Sequence, residues 1–303
     1  MNPYFRDYAD FLASYFEGKV QKISVDAAMG CPNRDGTTGH GGCIYCNNKA
    51  FSPDWQKHAL PVDEQIARGK EFFSRKYPQM RYLAYFQSYT STHAPLPYLL
   101  ELYRAAIAQP DIVGIIIGTR PDCMPDALLD RLSKLRDESG SRIFIEFGAE
   151  SSHDITLRRI NRCHDWATTC DAVRRTSDAG FPVGLHFILG LPGEDREMML
   201  ESVRRVNTLP VKTVKFHQLQ ILRNTPLAAA RARGEFNDIQ TFTPEDYAGL
   251  CADIIDTLRP DIAIERFVAQ APPDMLIEPQ WGLKNYQFMH ILEKVLKSRR
   301  QGQ

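Results

Sequence analysis

Charge of one sign is the first thing this chain lacks. Its 303 residues carry 37 Lys+Arg and 37 Asp+Glu, so the formal net charge is zero and the pI is near 7.1. That balance excludes a global electrostatic pull on nucleic acid and leaves only a local patch to serve one. A membrane-spanning apolar run and a secretory leader are also missing, since Met1-Asn2-Pro3-Tyr4-Phe5-Arg6 is aromatic and charged. The expected compartment is therefore the reducing cytoplasm, with no membrane partner, where seven cysteines do not form disulfides. No repeat, low-complexity tract or internal boundary interrupts the chain. What remains is ordinary globular material, 43% hydrophobic and 10% aromatic, enough to build a core.

What is there is a cysteine loop. Gly30-Cys31-Pro32-Asn33-Arg34-Asp35-Gly36 runs on to Gly41-Gly42-Cys43-Ile44-Tyr45-Cys46-Asn47, spacing three cysteines C-x11-C-x2-C. Clustered thiolates hold soft metals or iron–sulfur clusters. Three cysteine ligands leave one iron of a [4Fe-4S] cube open to a small molecule. Tyr45 places an aromatic ring beside that open position. Cys31, His40, Cys43 and Cys46 also have a spacing that a Cys3His zinc site accepts, and three unligated reduced cysteines are the other reading. The remaining Cys123, Cys163, Cys170 and Cys251 form no CxxC pair, so a second cluster is not expected.

Residues 4–17 repeat apolar side chains at helical spacing and predict a short amphipathic helix beside the first strand. Strands are expected at Lys22–Asp26, Arg81–Phe86, Ile112–Ile117, Arg142–Phe147, Val183–Leu189, Thr213–Ile221 and Ile262–Phe267. Helical patterns lie between them at 62–76, 96–108, 125–138, 154–179, 195–208 and 244–258. Strands separated by helices imply parallel pairing with right-handed crossovers. Alternation along 142–150 sets Phe144, Glu146, Gly148 and Glu150 against Ile143, Ile145 and Phe147, so both glutamates should point into a barrel. His186 and Ile188 share the inward face of their strand, as do Lys215 and His217 of theirs. Glu146, His186, Lys215 and His217 are the candidate catalytic residues, because an inert small barrel fills its lumen with aliphatic side chains.

The cysteine loop resembles that of the radical S-adenosylmethionine (radical SAM) superfamily, with a widened first gap. The wording CPNRDGT-x-G-x-GGC-x-x-CN resembles the YhcC/YtqA-like family, a relative of the radical SAM half of the Elongator catalytic subunit. The resemblance spans about residues 20–285. It implies an α/β fold, a partial (β/α)6 barrel with an N-terminal cluster-binding loop. The expected division is a single radical SAM domain over 1–303: an N-terminal helical extension (1–20), a barrel core (21–222) and a C-terminal closing segment (223–303).

It further implies that Cys31, Cys43 and Cys46 hold a [4Fe-4S] cluster whose open iron takes the amino and carboxylate groups of SAM. Gln87-Ser88-Tyr89-Thr90 occupies the place of the superfamily's GGE stretch and would offer backbone to the SAM amino group. Gly118-Thr119-Arg120-Pro121-Asp122 resembles Elongator-type sequences. Arg120 is either a cation facing the ligand or an ion-pair partner of Asp122. Glu150 sits where relatives carry a Gln on SAM. Ile160-Asn161-Arg162-Cys163-His164-Asp165 resembles INRGHD, with Cys163 replacing Gly; Arg162 is the candidate for the SAM carboxylate, or else a surface ion pair. Gly184 to Glu194 resembles the GxIxGxxE stretch, placing Ile188 against adenine and letting Gly190 bring backbone close to the base.

The expected activity is reductive cleavage of SAM to a 5′-deoxyadenosyl radical. Its electron would come from a reductant protein such as flavodoxin or ferredoxin. Family association points to tRNA, for wobble-uridine side-chain modification, with arginines on the helices, including Arg299 and Arg300, as a phosphate rim. Alternatives are a radical SAM oxidoreductase acting on a small metabolite and a non-catalytic zinc-stabilised binding protein.

Overall fold

Alternating inward and outward side chains determine how the sheet curls. The computed structural model describes residues 2–53, 60–75 and 80–301. Its strands β1 (Val20–Val25), β2 (Arg81–Phe86), β3 (Ile112–Thr119), β4 (Arg142–Glu150), β5 (Val183–Leu189) and β6 (Thr213–Gln218) pair in chain order, all parallel. A two-residue strand β7 (Ile221–Leu222) leaves the sheet, and β8 (Ala263–Arg266) completes it beside β6. The seven strands form a curled half-barrel, the partial barrel that the sequence implied.

Helices follow the strands: α2 (Val62–Ser74), α3 (Leu96–Ile107), α4 (Asp126–Ser139), α5 (Asp154–Arg159), α6 (Trp166–Asp178), α7 (Arg196–Val206), α8 (Pro226–Ala232), α9 (Pro244–Thr257) and α10 (Asn285–Gln301), with α1 (Tyr8–Ala13) ahead of the barrel. Local chemistry sets their ends. Asp165, Asp195 and Thr243 each accept a backbone N–H at the start of α6, α7 and α9, contacts of this kind being worth about 1 kcal/mol. Gly140 ends α4 in the left-handed conformation. The outward row Ile143, Ile145, Phe147, Leu185, Phe187, Val214 and Phe216 packs under this helical layer in one core with Tyr103, Leu132, Val173, Val203 and Tyr247. Each such side chain contributes roughly 1.5–3 kcal/mol by burial.

Two expectations change. The helix at 154–179 is two helices, because Asn161 and Cys163 both take left-handed φ, 54° and 60°. The strand expected over 213–221 stops at Gln218; Ile221–Leu222 instead pairs antiparallel with β9 (Leu276–Glu278) of the closing segment. The N-terminal helix does meet the first strand, with Lys22 Nζ 4.1 Å from the Tyr8 ring centroid, and it also plugs the lower end of the barrel. Phe11, Leu12 and Phe16 pack on the inward residues Leu83, Ile116, Phe144 and Ala263. The expected helix at 62–76 ends at Ser74; residue 76 lies outside the described residues. Among the described residues no helix is long and apolar enough to cross a membrane.

Candidate active site

A staple of side chains from the α5–α6 turn shapes the cysteine loop. Asn161 Nδ2 donates to the carbonyls of His40 (3.1 Å) and Gly42 (2.8 Å). Asn33 Nδ2 donates to the Asn161 carbonyl at 2.5 Å and lies 3.6 Å from Cys43 Sγ. The Ile44 N–H donates to the Ile160 carbonyl. The left-handed turn at 161–163 is what aims these groups, and Cys163, at φ 60°, occupies a conformation that glycine favours. Arg162 is buried. Its Nη1 stands 3.5 Å from Cys43 Sγ, its Nε is 3.0 Å from His164 Nε2, and its Nη2 donates to the Gly148 carbonyl. The Glu150 carboxylate is 3.4 Å away. Gly148 makes the room, since a Cβ there would lie 2.6 Å from Arg162 Nη2. Burial works against the Arg162 cation, but Tyr45, Cys43 and Glu150 outweigh it and hold its pKa above the usual value.

Two adjoining cavities occupy the mouth, of about 200 Å3 and 180 Å3. The first holds Cys31, Cys43 and Cys46 with Tyr45, Gln87, Tyr89, Thr90, Arg120, Glu146, Glu150, Arg162 and His186. The second shares Tyr45, Cys46, Gln87, Glu150 and His186 and adds Ser88, Ile188 and His217. So nearly every expected site residue comes together. Lys215 lies beneath the cavities, and Gly190 lines neither. A Cβ at Gly190 would meet the Gln240 carbonyl and the Phe242 ring, both at 2.9 Å, so this glycine lets residues 240–242 approach closely.

The first cavity fits a cluster and the amino-acid end of SAM. Burial, then the neighbouring Cys43, push the Cys46 thiol up to about 12, and a bound metal takes its cysteine ligands as thiolates. Among the described residues no three His, Cys, Asp or Glu side chains converge as ligands of a single ion would. The thiols line one wall instead, and His40, the fourth zinc ligand considered, lines neither cavity. Of the two readings of Arg120, the ion pair with Asp122 is present. The guanidinium forms a two-pronged pair with Asp122 (2.9 and 2.8 Å), yet its buried Nη1 has no partner among the described residues. Thr90 Oγ1 is buried and unpartnered in the same wall. Buried polar atoms without partners are costly and call for a ligand.

Below the mouth, the inward residues form a charged floor that the sequence showed only in part. Glu146 accepts from Lys22 (2.9 Å), Lys215 (3.0 Å) and His186 Nε2 (2.8 Å), and Glu265 lies 2.6 Å from Lys22 and 2.9 Å from Lys215. Lys215 also donates to Tyr85 Oη at 3.1 Å. Burial opposes ionisation of Glu146, but Lys215, Lys22 and His186 prevail and hold its carboxyl well below the usual range. Burial and Lys215 lower the pKa of His186, so its ring is neutral. His217 stands apart from this network, its Nδ1 against the Gln218 carbonyl, with burial and Arg266 lowering it to about 3. Sequence reasoning missed Lys22 and Glu265, although alternation along β1 and β8 put both on the lumen face.

Several of the helix arginines expected at a rim are already paired. Arg204 pairs with Glu197 and Glu201, Arg175 with Asp126 and Asp171, and Arg299 with Asp253 and Asp256. Arg300 sits over the Tyr4 ring on the side of the N-terminal plug.

Comparison with known proteins matches this geometry. The profile of the Radical SAM superfamily covers residues 30–206, and that of the Radical_SAM C-terminal domain covers 211–298. Protein YhcC of Escherichia coli K12 is 38% identical over 278 residues, 92% of this chain and 87% of its own. A tRNA uridine(34) acetyltransferase of Methanocaldococcus infernus is 28% identical over 127 residues, 41% of this chain and 23% of its own. The structure of M. infernus Elp3 superposes with TM-score 0.67 at 16% identity, over 93% of this chain; the chain spans 64% of that structure. The fold is shared with it. The superfamily uses a [4Fe-4S] cluster and SAM, and this chain belongs to the radical SAM superfamily, alongside YhcC.

Proposed function

We propose that the protein holds a [4Fe-4S] cluster on Cys31, Cys43 and Cys46, cleaves SAM reductively, and modifies a uridine side chain in tRNA. One observation carries the first part. Three thiols and two unpartnered buried groups, Arg120 Nη1 and Thr90 Oγ1, share a cavity that opens onto a second one. When bound, cluster and SAM supply a one-electron reduction and a carbon radical able to take hydrogen from an unactivated C–H bond.

The chain's own residues bind, orient and exclude water. Asn33 and Arg162 hold Cys43 in place; Arg120 and Thr90 offer donors to the SAM carboxylate; Gln87 to Tyr89 face its amino group. Tyr45 and Ile188 supply the apolar walls for the adenosine. His186 is fixed by Glu146 with Nε2 as donor, which leaves Nδ1 as an acceptor for a substrate donor group. Lys215 acts through Glu146 as a positioning residue, and His217 meets the substrate from the second cavity.

The tRNA part rests on the partial likeness to the acetyltransferase named above. A specific observation favours a second reading, a small metabolite: several of the helix arginines, Arg175, Arg204 and Arg299 among them, are already paired with carboxylates. Anaerobic reconstitution tests the cluster. About four irons per chain and SAM cleavage on reduction are expected, both lost in Cys31→Ala, Cys43→Ala and Cys46→Ala but kept in Cys170→Ala. A colourless zinc protein sinks the reading. Nucleoside profiling of tRNA from a deletion strain tests the substrate: a missing uridine modification supports tRNA. An unchanged profile, with no salt-dependent RNA binding, hands the site to a metabolite.

A further inference from the structure

We propose that the second cavity carries an anion subsite, with Arg266 as its cation, for a phosphate or carboxylate on the substrate. This deepens the proposed function and rests on its placing the substrate in that cavity.

Arg266 ends β8 at the barrel mouth, is exposed, and is the sole Arg or Lys among the described residues lining the cavity. Directly beneath it, charge is matched two for two: Lys22 and Lys215 against Glu146 and Glu265. Glu150, the one carboxylate among the described residues of the cavity wall, faces Arg162. Arg266 itself has no hydrogen-bond or ion-pair partner among the described residues; the adjacent Glu265 feels its charge only weakly and is held by Lys22 and Lys215. His186 and His217, beside it, are neutral, so the cavity presents one uncompensated positive charge. A planar guanidinium pairs with a phosphate or carboxylate in a fork.

A second observation points the same way. Gln220 lines the same cavity and is buried; its Nε2 donates to the Ala269 carbonyl at 3.0 Å, while Oε1 has no partner. The carbonyl partner fixes the amide's orientation, so the orphan atom is an acceptor. A ligand that offers an N–H donor near an anionic group answers both residues.

The test is calorimetric binding to the cluster- and SAM-loaded protein, using pairs that differ only in the anion: uridine and uridine 5′-monophosphate, ribose and ribose 5-phosphate, uracil and orotate. The charged member of at least one pair should bind about 10- to 100-fold tighter. That gap should shrink with salt, vanish in Arg266→Gln and partly return in Arg266→Lys. Gln220→Leu should weaken both members of the uridine pair equally. A gap in the phosphate pairs identifies a phosphate site, and a gap with orotate alone a carboxylate site. A gap with ribose but not uridine keeps the subsite while removing the nucleotide substrate. No gap in any pair, or a gap that survives Arg266→Gln with the iron content intact, overturns the proposal.

Discussion

The floor of the lumen and its mouth are both lined with charged and polar side chains, and they differ in one respect. On the floor every charge has a counter-charge within 3.0 Å: Lys22, Lys215, Glu146 and Glu265 close on one another. At the mouth, Arg120 Nη1, Thr90 Oγ1 and Gln220 Oε1 are buried without partners among the described residues. A closed network holds shape, whereas an open one waits for something to complete it. Polarity alone, which is all that alternation reveals, does not separate the two.

Breaking the floor should give the larger stability effect. Glu146→Ala leaves Lys22 and Lys215 sharing one carboxylate and should cost about 3–5 kcal/mol in denaturant unfolding. The double change Glu146→Leu with Lys215→Met should recover most of that loss. It should not recover turnover, because His186 then has nothing to orient it. A single variant as stable as the parent would mean that the floor is not the closed network described.

Next comes the mouth. Arg120→Ala should weaken SAM binding about 10- to 100-fold with iron content unchanged, by loss of a charge-assisted contact worth about 1.5–3 kcal/mol. Arg162→Ala should instead lower iron retention, because its guanidinium bonds to Cys43 and Gly148. Equal effects of the two on iron would erase the distinction drawn between them.

The smallest effect is a pH dependence. Folded His217 has its pKa near 3 against 6.5 when unfolded. As pH falls, the unfolded chain takes the proton first. Stability is therefore full above about pH 6.5 and declines as the pH drops towards 3, by roughly 1–2 kcal/mol between pH 6.5 and 5. His217→Gln should flatten that part of the profile, and an unchanged slope would place the ring in solvent.

The barrel was legible because strand alternation is local, and the cysteine loop because its spacing is. What escaped depended on distance. Residues 154–179 read as one helix, since nothing nearby announces that Asn161 and Cys163 must turn left-handed to reach the cysteine loop. Asn tolerates that conformation, but Cys gives no such signal. Glu146 stood out as a candidate catalytic residue, but its pairing with Lys22 and Lys215, and theirs with Glu265, joins residues far apart in sequence. Arg162 read as an open fork for a carboxylate, although its nitrogens meet Cys43, His164 and Gly148. Gly190 matched a motif, but nothing in that motif announces the close approach of the chain's own Gln240 and Phe242.

The staple between Asn33, Asn161 and Cys43 has a consequence for the order of events during synthesis. All three cysteines leave the ribosome more than a hundred residues before the turn that shapes their loop. Such distant contacts form late. A nascent chain ending at residue 150 would expose every thiol and yet lack the groups that aim them. Loading the cluster is then a report that the α5–α6 turn has already docked, and the metal content of a truncated or misfolded chain measures how far its assembly has run.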